Sequence, residues 1–502
     1  MKAGMKKAVG NSRVEYGIAM LVCAIVSFFF LLNSPLHPWN GTEPATDSSV
    51  FKAIAFMMEK GYMPYRDSFD HKGPLLYLIN WLGNQISYFR GVWVIEFIVV
   101  TFTFFMLYRI ARIRTGISSS CLTVLMAGTL LFGYFDGGNL TEEYAMPCIA
   151  VGIYIFLKYL LENKISAWRI GVSGLAMAAV LLLRPNMIAV WVVFCIAIFV
   201  KTIVAKDWKT LGRFVLGFLA GAAVLIVPVM IWLLVNGALG DCIQAYIVFN
   251  MKYSSAEGGM SPFSDKWRVF FEFMGTTVYL IAFAGNLFHL KKDKFVNITY
   301  AVYMVIGVVL ISMSGMSFGH YGMTLIPVVI YPISLIFADL EQIARTDSGR
   351  VLRMLAVLCV SIGIIVPGWI GLVKEVPAYY EQRNEKGISD VFNQVRAVIE
   401  QYTTEDDKIS VRGNQDFFYV YAKRMHATKY SYQHPIGAVM PEIMDEYLEQ
   451  MQEELPVLVV VQHEGFYDER TRDFLDRNQY RFIWGQNGTI EAGGVMIFYR
   501  EK

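Results

Sequence analysis

Long apolar runs set the first limit on what this chain can fold into. Stretches of about 18 or more apolar residues recur from Tyr16 to Val373, each long enough to cross about 30 Å of hydrocarbon. Lipid offers the backbone no water, so runs of this kind are read as helices. Composition agrees: 55% of the 502 residues are hydrophobic and only 17% are charged, against about 25% charged in soluble domains. The chain is predicted to be an α-helical polytopic membrane protein with about 11 transmembrane helices. Spans are expected near 16–36, 91–109, 118–135, 148–161, 170–183, 187–205, 214–236, 269–289, 296–313, 323–340 and 351–373. The first follows Lys2, Lys6, Lys7 and Arg13 but lacks a small-residue cleavage site, so it reads as a retained helix. Residues 74–89 could be a further span or lie at the interface. Their glycine, asparagines and glutamine favour the interface.

Orientation follows from lysine and arginine. With the N-terminus cytoplasmic, the inner loops hold Arg109, Arg112 and Arg114, then Lys158, Lys164 and Arg169. Lys206, Lys209, Arg213, Lys291, Lys292, Lys294, Arg345, Arg350 and Arg353 continue the series, whereas 136–147 and 314–322 carry no lysine or arginine. The expected transmembrane domain, 1–375, therefore turns loops 37–72, 136–147, 237–267 and 314–322 outward. After Lys374 the pattern changes. DVFNQVRAVIEQY, MPEIMDEYLEQMQ and ERTRDFLDRN read as helices; KISVRG, PVLVVVQ, YRFIWG and GVMIFYR read as strands. Residues 385–502 are expected to form an extracytoplasmic α/β domain.

Several chemistries find no support. A net charge of +2 gives no nucleic-acid footprint. The six cysteines show no CxxC or Cys/His ligand spacing. No GxxxxGK[ST] or HExxH motif occurs, so nucleotide hydrolysis and zincin chemistry lack a signature.

Ionisable residues are costly in a membrane bundle, so those at the outer helix ends are informative. Asp47 opens an amphipathic stretch with Val50, Phe51, Ile54, Ala55 and Met58 at helical spacing. It reads either as an N-cap or as a carboxylate placed to take a proton from an incoming hydroxyl. Asp67-Ser-Phe-Asp70-His71-Lys72-Gly73-Pro74 packs four ionisable residues in front of an apolar helix. Lys72 lies there at headgroup level, as a point charge for a phosphate or as a snorkelling lysine. Asp136, Glu142 and Glu143 form a third cluster, and Arg184 ends an apolar run where an anion or carboxylate must meet it. His320 and Tyr321 stand at an outer helix start. All four groups fall on one expected membrane face.

In this order the motifs resemble the GT-C glycosyltransferases, in particular the bacterial branch related to protein O-mannosyltransferases and lipid A aminoarabinose transferases. The resemblance rests on the first-loop acid, HKGPLLY, the acidic second loop, HYGMTLIP and the α/β tail. It implies a GT-C-like fold in which Asp47 is the catalytic base or the group that orients the acceptor. Asp67, Glu142 or Glu143 would supply the second acid that this chain lacks at Ser48, and Lys72, with Gly73-Pro74 in place of Pro-Pro, would hold the carrier phosphate. His71, Arg184, His320 and Tyr321 are the further donor-side candidates. The implied reaction is inverting transfer of a sugar from a polyprenyl-phosphate donor to an extracytoplasmic hydroxyl of a glycan, lipid or protein. No metal or other cofactor is expected, and a divalent metal is possible but unsupported. Two rivals are a transporter or flippase of lipid-linked sugars, which would place charges at the midplane, and a polysaccharide polymerase or ligase with a lipid-diphosphate donor. A third is a scaffold protein.

Overall fold

The computed structural model describes residues 12–34, 36, 46–164, 166–255, 275–313, 318–344, 346–366, 368–371, 373–374, 388–414, 416–434, 436–490 and 492–501. Among them seven helices are long and apolar enough to cross a membrane: Arg13–Phe30, Gly91–Ala111, Thr141–Glu162, Trp208–Val235, Lys294–Ser312, Gly319–Ile343 and Asp347–Gly371. This is a multi-pass membrane protein. The other four expected spans are shorter apolar helices, Ile117–Phe132, Ala167–Leu181, Ala189–Val204 and Thr277–Phe288. A 16-residue helix rises only about 24 Å, so length alone does not make these four full crossings. The ambiguous 74–89 segment forms Pro74–Ile86, 13 residues, about 20 Å.

Two expected loops differ from their prediction. Glu142 and Glu143 lie in the first turn of the helix Thr141–Glu162, which starts before the expected 148. Its acidic first turn hid a helix start from hydropathy. The 237–267 loop is helical as far as it is described, with Leu239–Cys242, a π-helical turn Ile243–Phe249 and Asn250–Ser255. Residues 256–274, 37–45 and 314–317 lie outside the described residues.

Small residues let two of the helices touch. Gly171 and Gly174 on Ala167–Leu181 face Gly217 and Gly221 on Trp208–Val235. A Cβ added at Gly221 would stand 1.9 Å from Gly171 O, and one at Gly174 would stand 2.0 Å from Phe218 O. Backbones this close need small-residue stripes, since lipid supplies no hydrophobic drive between helices. Gly221→Leu is expected to cost about 1–3 kcal/mol or more by overpacking, read as a fallen yield of monodisperse protein on detergent extraction. Gly212→Leu, on the same helix with nothing within 4 Å, is expected to behave as wild type.

The C-terminal part is a five-stranded sheet of β1 (Lys408–Arg412), β2 (Met425–His426), β3 (Leu458–Val461), β4 (Arg481–Gly485) and β5 (Met496–Tyr499), in the order β2-β1-β3-β5-β4. β1 runs parallel to β2 and β3, while β5 is antiparallel to β3 and β4. Alternate residues serve opposite faces. Ile409, Val411, Leu458, Val460 and Ile497 pack on Val395 and Ile399 of the helix Ile388–Tyr402. Val459, Val461, Met496 and Phe498 pack toward Tyr447, Met451 and Leu475. Both faces are covered, which is why β3 reads LVVV without alternation.

This domain is pinned by hydrogen bonds to the first loop, to the helix Thr46–Glu59 and to Tyr88, which follows the helix Pro74–Ile86. Phe69 N donates to Lys429 O at 2.7 Å, Asp416 N to Ser49 Oγ at 3.0 Å and Tyr88 OH to Val420 O at 2.8 Å. Ser68 Oγ lies 2.9 Å from His426 Nε2. Burial pushes Asp416 up to about 7, against a hydrogen bond from Ser431. A raised carboxyl favours its neutral form in the fold, so its contribution is full below pH 4 and is lost as pH rises through 7. Asp416→Asn is therefore expected to gain on wild type between pH 5 and pH 8, by an order of a few kcal/mol. Parallel melting curves at both pH values would refute this.

Candidate active site

A cavity of about 1500 Å³ opens where the bundle meets the α/β domain. Segments distant in sequence supply its wall: Asp47, the loop residues Asp70 to Lys72, Asp136, Arg184, His320 and Tyr321, with Asn414, Tyr432 and His434 from the α/β domain. One flank is apolar, with Ile247, Val248, Met251, Leu310 and Met313.

Asp47 lies in the first turn of Thr46–Glu59, inside the helix rather than before it, which removes the simple N-cap reading. Its neighbour Ser48 is buried and accepts from Asn139 Nδ2 at 2.8 Å. That asparagine is itself fixed from behind, since its backbone N–H lies 2.7 Å from Glu96 Oε1 and 2.8 Å from Glu143 Oε2.

Backbone pairing explains why Lys72 and Arg184 share a wall. Gly73 N donates to Leu183 O at 3.1 Å and Leu75 N to Leu182 O at 3.0 Å. A Cβ on Gly73 would stand 2.1 Å from Leu182 O. Proline at 73 would lose that donor and meet that carbonyl, so the departure from Pro-Pro is a requirement of this packing. Arg184 Nη1 pairs with the buried Glu142, and its guanidinium lies 3.9 Å from the Tyr321 ring centroid. Planar stacking and a bidentate fork are arginine properties that lysine does not share.

His320 is buried, stacked on Phe318 at 5.6 Å, with Nδ1 3.3 Å from Asp136 Oδ2. That hydrogen bond holds the Asp136 carboxyl below its ordinary range. The π-helical turn brings in Tyr246, whose OH donates to Leu181 O at 2.6 Å, and leads to Asn250, which donates to His71 O at 2.7 Å. π-turns recur at functional sites.

The candidates thus divide. Asp47, His71, Lys72, Arg184, His320 and Tyr321 line the cavity. Glu142 reaches it only through Arg184. Asp67 does not line it: its carboxylate accepts from Met63 N at 2.7 Å and from Arg66 at 2.8 and 2.7 Å. Glu143 does not line it either, being fully buried against Asn139 beside Glu96. His71 has its Nε2 3.0 Å from Lys72 Nζ, which leaves that nitrogen unavailable to a phosphate. Asp70 and Asp136 lay within the sequence clusters but were not singled out. Asn250 and Tyr246 carried no local signal, because their segment read as a loop. Among the described residues no three His, Cys, Asp or Glu side chains are grouped to hold a metal ion.

A family model, the competence-induced protein Ccs4 N-terminal domain, matches residues 6–358. The chain belongs to that family. The match ends within the span Asp347–Gly371 and stops short of the α/β domain. Among solved structures, ArnT from Cupriavidus metallidurans bound to undecaprenyl phosphate aligns over 98% of this chain and 98% of its own, at TM-score 0.63 and 12% identity. The same protein in the apo state aligns over 97% and 98%, at TM-score 0.62 and 12% identity. The fold of this family member is therefore that of the GT-C glycosyltransferases, α/β domain included. Curated protein sequences give no match.

Proposed function

We propose that this protein is an inverting glycosyltransferase that moves a sugar from a polyprenyl-phosphate carrier to an acceptor hydroxyl at the outer membrane face. One observation carries the reading: Asp47, Lys72 and Arg184, from three separate segments, line one cavity with an apolar flank. An acid, two cations and a lipid-compatible wall are what this reaction needs. Asp47 takes the acceptor proton as the acceptor oxygen bonds to the anomeric carbon. The bond from that carbon to the phosphate oxygen breaks, and polyprenyl phosphate leaves with its electron pair. Lys72 and Arg184 meet the growing negative charge where water is scarce and the interaction is strong. Asp47 then returns its proton to water.

Undecaprenyl phosphate in the similarly folded ArnT supports the carrier class. The lysine and arginine asymmetry supports a cytoplasmic N-terminus, a membrane domain over 1–375 and an outward α/β domain over 385–502. Clustering of the ionisable groups at one end of the bundle, not at its midplane, favours the enzyme over a transporter.

The test is reconstitution in liposomes with a panel of polyprenyl-phosphate sugars. Release of free polyprenyl phosphate with one sugar is the expected result. Translocation of the lipid-linked sugar without carrier release, or release from lipid diphosphates alone, would overturn the proposal.

A further inference from the structure

Lys72 ends a line of polar groups that runs back into the α/β domain. Its Nζ lies 3.0 Å from His71 Nε2. An ammonium can only donate, so Nε2 is the bare ring nitrogen and Nδ1 carries the hydrogen. Nδ1 stands 3.4 Å from Asp70 Oδ1 and has no hydrogen-bond partner of its own among the described residues. Asp70 is buried, and its two oxygens accept from Tyr432 OH and Tyr77 OH, each at 2.7 Å. The His71 ring is stacked on Tyr253 at 5.6 Å and lies 5.3 Å from Phe249.

Charges along the line are consistent. Burial and the Lys72 charge push His71 down to about 3, so the ring is neutral and able to accept. Burial alone would raise Asp70; the Lys72 charge and the hydrogen bonds from the two phenols act against it, and the carboxyl stays below its usual range.

We infer that Asp70, His71 and Tyr432 are positioning residues that fix the Lys72 ammonium in the cavity, with the α/β domain supplying the last member. A lysine is a point charge on a flexible four-carbon stem. Fixing it in advance reduces what must be ordered when the phosphate arrives. The α/β domain is then part of the phosphate side of the site. This inference rests on the reading of Lys72 as the phosphate-binding group.

The test uses the full chain in lipid nanodiscs and measures affinity for undecaprenyl phosphate without sugar. Tyr432→Phe and His71→Leu are expected to weaken binding about 10-fold, as loss of a hydrogen bond to a charged group would. His71→Gln, whose amide can both accept and donate, is expected to stay within about threefold. In a Lys72→Met background neither Tyr432→Phe nor His71→Leu should change affinity further. Equal losses in that background would mean that the residues act on the fold and not through Lys72, and would overturn the inference. So would a His71→Gln variant as weak as His71→Leu. A wild-type protein that fails to bind would overturn the sugar-transfer reading and this inference together, whereas a Lys72→Met variant that binds as well as wild type would overturn this inference and leave that reading to Arg184. The isosteric Tyr432→Phe change keeps the comparison open should His71→Leu fail to fold.

Discussion

Asp47→Asn is expected to lower turnover about 10²–10⁴-fold while leaving the amount of folded protein and the affinity for carrier unchanged. The size is what a positioned general base contributes. Asparagine keeps the shape and polarity of the side chain in the first helical turn but cannot accept the acceptor proton at neutral pH. Neither Lys72 nor Arg184 depends on Asp47 for a hydrogen bond among the described contacts, so phosphate binding should persist. Loss should therefore appear in kcat, with KM for the donor nearly unmoved. The check is single-turnover release of polyprenyl phosphate beside a binding titration. Wild-type turnover in Asp47→Asn would remove Asp47 from the mechanism.

Arg184→Met is expected to damage both fold and reaction, and the two effects can be separated. Glu142 is only 2% exposed and Arg184 is its ion-pair partner. Removing one member of a buried pair typically costs about 3–5 kcal/mol because the other charge is left bare. A single Arg184→Met variant should thus be poorly folded or heat-labile. Adding Glu142→Gln removes the stranded charge, and the double variant should recover most of the wild-type melting temperature. It should still turn over about 10²–10³-fold more slowly, since a donor to the leaving phosphate is gone. Recovery of activity along with stability would show that Arg184 only neutralises Glu142.

The outcome for each acid follows from geometry that no local pattern encodes. Glu142 and Glu143 are adjacent on one helix, and successive helical residues point about 100° apart. One therefore meets Arg184 while the other turns toward Glu96 and Asn139. Asp67 and Asp70 sit three residues apart in an irregular loop, past a Tyr65 with φ of +70°. A loop has no period to assign sides, so Asp67 binds the Met63 backbone and Arg66 while Asp70 reaches the cavity. The partner that completes Asp70, Tyr432, lies 362 residues away along the chain. No windowed reading could connect the two.

Apolar run length, lysine and arginine placement and the strand-helix alternation after residue 385 were local properties, and they determined a membrane bundle ending in an α/β domain. Each depends only on how a segment partitions between water and lipid or on its own period. Which acid faces a base, why residue 73 must be glycine, and how the α/β domain reaches the lysine were decided by tertiary structure alone. Those are matters of approach between segments far apart in the chain. Burial then converts a distance of about 3 Å between such groups into an interaction strong enough to matter.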